Sequence, residues 1–256
     1  MKPHEQITAA VREAAAGRGV ALVPYITAGY PHKDKFIETL RAIAAVADVV
    51  EVGVPFSDPM ADGVTIQRSS HQAIANGVSL RWILTELAEA DAIGVPLVLM
   101  SYLNPLLAYG YAALVEASAE AGVCGFIVPD LPLEEGVDFR KALDGAGLAS
   151  IQLVTPATPP ERLSRLCEAS RGFIYAVTVR GITGGSRALP DDVPDYLDRV
   201  KSVATLPVCA GFGVREAAQV KQLGAHADGV IVGSALVEQL EAGNDPARFL
   251  ASLRAG

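Results

Sequence analysis

Val49-Val50-Glu51-Val52-Gly53-Val54, running into Pro55-Phe56-Ser57-Asp58-Pro59-Met60-Ala61-Asp62-Gly63, is the stretch on which the reading of this chain turns. The valine run is apolar on alternate as well as successive positions, as in a parallel strand covered by helices on one side and packed side chains on the other. One carboxylate interrupts it. The loop that follows is stiffened by Pro55 and Pro59 and ends in a second carboxylate before a glycine.

Working outward, runs of the same kind recur, and strands are expected over residues 20–26, 48–54, 95–101, 123–129, 148–154, 172–178, 206–210 and 228–232. Most are separated by segments whose apolar positions fall three and four apart, which predicts helices over 35–46, 80–92, 111–121, 134–146, 160–169, 194–203 and 215–223. Eight β-then-α units of about 30 residues fit a closed barrel. A doubly wound open sheet normally has fewer strands and a glycine-rich turn after the first, where this chain has Val23-Pro24-Tyr25-Ile26-Thr27-Ala28-Gly29-Tyr30-Pro31. The expected architecture is α/β: one (β/α)8, or TIM, barrel domain over residues 1–256, with an extra helix over 5–16 covering the N-terminal mouth.

Half of the 256 residues are hydrophobic, enough for a large core. The N-terminal segment carries charges where a signal peptide needs an apolar run, and no apolar stretch reaches the roughly 18 residues of a spanning helix. A soluble, cytoplasmic protein with no membrane partner is expected. Cys124, Cys167 and Cys209 lie far apart without C-x-x-C spacing, so buried packing is favoured over disulfides or zinc. The net charge of −8 and the lack of a Lys/Arg cluster argue against nucleic acid. A small phosphate ester remains open, because backbone N–H groups at a helix N-terminus bind anions without help from cations.

In this architecture chemistry sits at the C-terminal ends of the strands. Glu51, inside an apolar strand, has two readings: a desolvated carboxyl with a raised pKa, suited to proton transfer, or a helix-facing charge paired with a Lys or Arg. Asp58 and Asp62 are either turn formers or acids placed just beyond Glu51. Gly181-Ile182-Thr183-Gly184-Gly185-Ser186 follows strand six, Gly211-Phe212-Gly213 strand seven, and Gly233-Ser234 strand eight, where it opens a helix. Glycine loops after strands seven and eight are the usual phosphate site of these barrels. His4, His32, His71 and His226 show no ligand spacing, so no metal is implied, and no strand carries a lysine for a Schiff base.

The segment from Glu51 to Gly63 resembles the E-L-G-x-P-x-S-D-P-x-A-D-G signature of the tryptophan synthase α subunit. Val128-Pro129-Asp130-Leu131-Pro132, Gly181-Ile182-Thr183-Gly184, Gly211-Phe212-Gly213 and Val232-Gly233-Ser234-Ala235 support it in order along the chain. The resemblance implies a carbon–carbon lyase of L-tryptophan biosynthesis, cleaving indole-3-glycerol phosphate to indole and glyceraldehyde 3-phosphate with no cofactor or metal. It implies Glu51 as the group exchanging a proton at indole C3 and Asp62 as the acceptor of the indole N–H. Thr183 would close the site through Asp62. Gly184, Gly213, Gly233 and Ser234 would hold the phosphate. Tyr25, Tyr102, Tyr175 and Phe212 would wall the indole, although ordinary core packing explains each aromatic as well. The partner implied is a pyridoxal phosphate β subunit in an α2β2 complex.

The sequence departs from the family pattern at Val64, commonly proline, at Thr178-Val179-Arg180, and at Gly185-Ser186. Other readings of the same features are a freestanding indole-releasing lyase or diverted homologue, and a weakly catalytic subunit that activates a partner. Another phosphate-binding barrel, such as an isomerase, does not account for the loop from Pro55 to Gly63.

Overall fold

The computed structural model describes residues 1–178, 192–211 and 213–254. Eight parallel strands close in chain order into a barrel: β1 (Ala21–Thr27), β2 (Val50–Gly53), β3 (Leu97–Met100), β4 (Val123–Ile127), β5 (Ala149–Val154), β6 (Ile174–Val177), β7 (Val208–Gly211) and β8 (Gly229–Val232). All eight expected strands form, and the TIM-barrel expectation holds. Around them the described residues form α1 (Pro3–Arg18), α2 (Phe36–Ala44), α3 (Val64–Ala75), α4 (Leu80–Glu89), α5 (Leu103–Tyr109) and α6 (Tyr111–Glu120). The chain continues through α7 (Val137–Ala146), α8 (Pro160–Ala169), α9 (Val193–Val203), α10 (Ala217–Gly224), α11 (Ser234–Glu241) and α12 (Pro246–Arg254).

The helix boundaries correct the sequence reading in particular places. α7 starts at Val137 rather than 134, because the N–H groups of Glu135 and Gly136 both turn back onto the Pro132 carbonyl. α10 starts at Ala217 rather than 215: the Gln219 side chain accepts from the N–H groups of Arg215 and Glu216, which places both residues ahead of the helix. α4 stops at Glu89, short of 92. Three helices, α3, α5 and α12, lie where none was expected; α3 buries Ser69 and Ser70 while leaving Val64 exposed, so its apolar spacing gives little signal.

Alternation along each strand sorts the apolar side chains into two clusters. Val50 and Val52 pack with the surrounding helices. Val23, Tyr25, Val49, Val98, Phe173, Tyr175, Cys209 and Ile231 fill the barrel interior. Glu51, two positions after Val49, therefore points inward. Ile7, Val11 and Ala14 of α1 are buried against the same interior cluster, so the N-terminal helix covers that end of the barrel, as expected.

The opposite parity of this strand carries its own tie. Asp48, just before β2, is buried and accepts from the Leu22 N–H at 2.7 Å, from Arg254 of α12 at 2.6 Å, and from Arg18 of α1. One carboxylate thus joins both terminal helices to the start of β2, with its charge satisfied on each oxygen. The three cysteines are buried and free, as expected of packing residues. No described helix is long and apolar enough to cross a membrane.

Candidate active site

β2 carries Glu51 into the barrel between Tyr25 of β1 and Val98 of β3, its partners in register. The side chain is 1% exposed, and neither carboxylate oxygen has a hydrogen-bond partner among the described residues. The paired, helix-facing reading is thereby set aside. Loss of hydration first, and the nearby charge of Asp62 second, push the Glu51 pKa from its ordinary 4.5 up to about 8.

Asp62 stands at the end of the loop after β2 and keeps partial contact with solvent. The Tyr102 hydroxyl, at the end of β3, donates to its Oδ2 at 3.1 Å and accepts from the Ala61 N–H at 2.9 Å. Tyr102 also stacks on Phe56 of the same loop, with ring centroids 4.9 Å apart. Burial raises the Asp62 pKa from 3.8 to about 6, against the lowering effect of the Tyr102 bond. At neutral pH the site accordingly holds a protonated Glu51 beside a mainly ionised Asp62. Two carboxyls with separated pKa values divide acid and anion roles between them. Asp58, by contrast, is exposed and accepts from Ser57 within the loop, a turn-forming role.

Tyr25 and Tyr175 lie in the barrel interior and are almost fully buried. The space for their hydroxyls comes from glycine. A Cβ at Gly53, the next inward position after Glu51, would overlap the Tyr25 hydroxyl, and one at Gly211 on β7 would stand 2.9 Å from that of Tyr175. Burial, reinforced by the two carboxylates, drives both phenol pKa values well up, so both hydroxyls stay neutral. Tyr25 lies 3.3 Å from Thr27 Oγ1, which is 2.6 Å from Ser69 on α3.

At the next strand ends, Gly213 takes a left-handed φ of 85°, and Gly233 forms the N-cap of α11 with no side-chain cap among the described residues. Ser234 is the first residue of that helix. An uncapped helix N-terminus beside glycine offers N–H groups to an anion. A Cβ at Gly233 would stand 3.7 Å from the Tyr25 Cβ, while the Tyr25 hydroxyl reaches Gly53. The length of one tyrosine side chain therefore separates the α11 N-terminus from the strand that carries Glu51.

Residues 11–255 match the profile of the family described as tryptophan synthase alpha chain. The chain belongs to that family. The protein is 45% identical over 242 residues to the tryptophan synthase alpha chain of Nitratidesulfovibrio vulgaris strain DP4, with 94% of each chain covered. It is 46% identical over 230 residues to that of Roseiflexus castenholzii, covering 89% of this chain and 88% of the relative. Among solved structures, a chain of Mycobacterium tuberculosis tryptophan synthase aligns with a TM-score of 0.88 at 37% identity, covering 98% of both chains. The tryptophan synthase α subunit of Legionella pneumophila aligns at 0.86 and 34%, covering 99% of this chain and 97% of that one.

Membership makes the protein an α-chain lyase of tryptophan biosynthesis, the family whose reaction is the cleavage of indole-3-glycerol phosphate. Of the residues singled out in the sequence, the fold brings Glu51, Asp62, Tyr25, Tyr102 and Tyr175 together. Gly213, Gly233 and Ser234 follow the ends of the adjoining strands β7 and β8. Thr183, Gly184 and Phe212 lie outside the described residues. Several tryptophan synthase α-chain features here were missed in the sequence. Phe56 had a signal, as the one aromatic in the loop after β2. Asp130, which accepts from the Leu103 N–H at 2.9 Å and ties the loops after β3 and β4, had one in Val128-Pro129-Asp130-Leu131-Pro132. Thr27 and Ser69 had none, since their pairing depends on how α3 packs against the barrel.

Proposed function

We propose that this chain performs the family's retro-aldol cleavage with Glu51 as the proton carrier and Asp62 as the anion that holds the ring. The observation that carries this reading is the inward-pointing Glu51 carboxyl, which has no hydrogen-bond partner among the described residues, beside an ionised Asp62 anchored by Tyr102. Protonated Glu51 gives its proton to indole C3, and the ring becomes an iminium-like cation. Asp62 accepts the indole N–H and stabilises that charge as it develops. The Glu51 carboxylate then takes the proton of the glycerol hydroxyl next to C3, the carbon–carbon bond breaks, its electron pair restores the indole ring, and an aldehyde forms. Glu51 ends the cycle protonated.

Backbone N–H groups at Gly213, Gly233 and Ser234 receive the phosphate, with Gly184 completing the set. Tyr25, Tyr102, Tyr175 and Phe212 wall the indole. Thr183 closes over the site by bonding Asp62, which excludes water from the iminium stage. The chain works as one domain in the cytoplasm. Its partner is a β subunit in an α2β2 assembly, and the C-terminal side of the barrel offers that subunit Met60, Val64 and Leu107, all large, apolar and exposed.

The pH dependence of indole release tests the division of roles. Activity requires Asp62 ionised and Glu51 protonated, so kcat/KM rises through about pH 6 and falls through about pH 8, with its maximum between them. A profile that keeps climbing above pH 9 contradicts Glu51 as the proton donor.

A further inference from the structure

We propose that Glu238 is a positioning residue for Asp62, fixing the segment after β2 to the helix whose N-terminus receives the phosphate. The inference rests on the reading of Asp62 as the anion that holds the indole ring. Glu238 lies on α11, about one turn beyond Gly233 and Ser234. Its Oε1 accepts from Thr65 Oγ1 of α3 at 3.1 Å and from Arg215 Nη2 at 2.8 Å, and its Oε2 accepts from Arg215 Nη1 at 2.6 Å. Arg215 comes two residues after Gly213, so one carboxylate joins the segment after β7, α11 and α3.

The second tie lies one turn along both helices. Glu241 accepts from Arg68 Nε at 2.9 Å and Nη2 at 2.5 Å, and Tyr30, from the segment after β1, lies close to the same carboxylate. Thr65 with Arg68, and Glu238 with Glu241, are each three residues apart, so α3 and α11 are held face to face through paired polar contacts. α3 begins at Val64, immediately after Asp62 and its N-cap Gly63. Gln67 of α3 donates to the Asp62 carbonyl at 2.9 Å, which makes the Asp62 backbone an extension of that helix. Asp62 is thus gripped from two sides: its carboxylate by Tyr102, its main chain by a helix that Thr65 ties to Glu238.

Charge fits this arrangement. A bare carboxylate one turn from an anion site would repel the phosphate. The bidentate Arg215 pair neutralises it and holds its pKa low, leaving Glu238 free to act as an acceptor for Thr65.

Thr65→Val tests the link, because it removes the donor while keeping the shape of a side chain that is 9% exposed. The expected result is a fall of about tenfold in kcat for indole release, with KM changed by less than about twofold. Melting temperature stays close to wild type, and Thr65→Ser, which restores the hydroxyl, recovers at least half of the wild-type kcat. In the double variant Thr65→Val/Glu238→Ala the kcat is no lower than in Glu238→Ala alone, since the acceptor for Thr65 is already gone. A Thr65→Val enzyme with wild-type kcat, or a Thr65→Ser enzyme as slow as Thr65→Val, overturns the inference. The underlying reading is separable: if wild type releases no indole, or Asp62→Asn matches it, the role of Asp62 falls and the link falls with it. If wild type cleaves, Asp62→Asn is inert and Thr65→Val is at full speed, only the link fails.

Discussion

Glu51→Gln lowers kcat for indole release by about three orders of magnitude and at the same time yields a more stable protein. The activity loss follows from the absence of any other described titratable group at the centre of the barrel mouth that is poised to hand a proton to carbon at neutral pH. The gain in stability follows from burial. Glu51 has no hydrogen-bond partner to lose among the described residues, and its folded pKa of about 8 stands above the ordinary 4.5. A carboxyl whose pKa is raised by folding stabilises the native state fully only below the unfolded value, and that contribution is lost as pH rises through the folded value. Glutamine does not titrate, so the difference between variant and wild type is near zero at pH 4 and grows to roughly 3 kcal/mol at pH 7. Thermal unfolding of the pair at several pH values reads this directly, as a Tm gain of at least about 6 °C at pH 7 that shrinks toward pH 4. A Glu51→Gln protein that stays active, or that melts below wild type at pH 8, contradicts the role assigned to this carboxyl.

Asp62→Asn costs about a hundredfold in kcat, within the range for losing one group that stabilises transition-state charge. Asparagine still accepts from Tyr102 and presents a carbonyl to the indole N–H, so binding and fold persist, but it brings no negative charge to the iminium ring. The substitution also acts on its neighbour. The Asp62 charge is the second cause of the raised Glu51 pKa, so its removal moves the falling limb of the kcat/KM profile to lower pH and abolishes the rising limb. Steady-state rates across pH 5 to 9 check both effects, and a falling limb that stays in place shows that the two carboxyls do not sense each other.

Much of this arrangement is legible in the sequence, and the limits have physical reasons. The eight strands are readable because parallel strands buried on both faces are nearly continuous apolar runs. The same property hides the direction of Glu51. With Val49, Val50 and Val52 all apolar, alternation gives no sign of which parity faces inward, and only closure of the barrel beside Tyr25 and Val98 decides it. Tyr102 is readable as an aromatic at a strand end, whereas its hydroxyl bond to Asp62 depends on a loop folding back across the mouth. Glu134 and Glu135 look like the first turn of a helix, yet the turn made by Pro132 excludes them. The Thr65 to Glu238 contact joins residues 173 apart and exists only because β8 returns to β1, bringing α11 against α3.

The most direct test of proton transfer at carbon separates it from bond cleavage. Indole is incubated in heavy water with the protein and inorganic phosphate, and the loss of the C3 hydrogen is followed by proton NMR. Wild type exchanges that hydrogen faster than solvent does, and Glu51→Gln leaves it at the solvent rate. Equal exchange by the two proteins would show that Glu51 does not deliver the proton to C3.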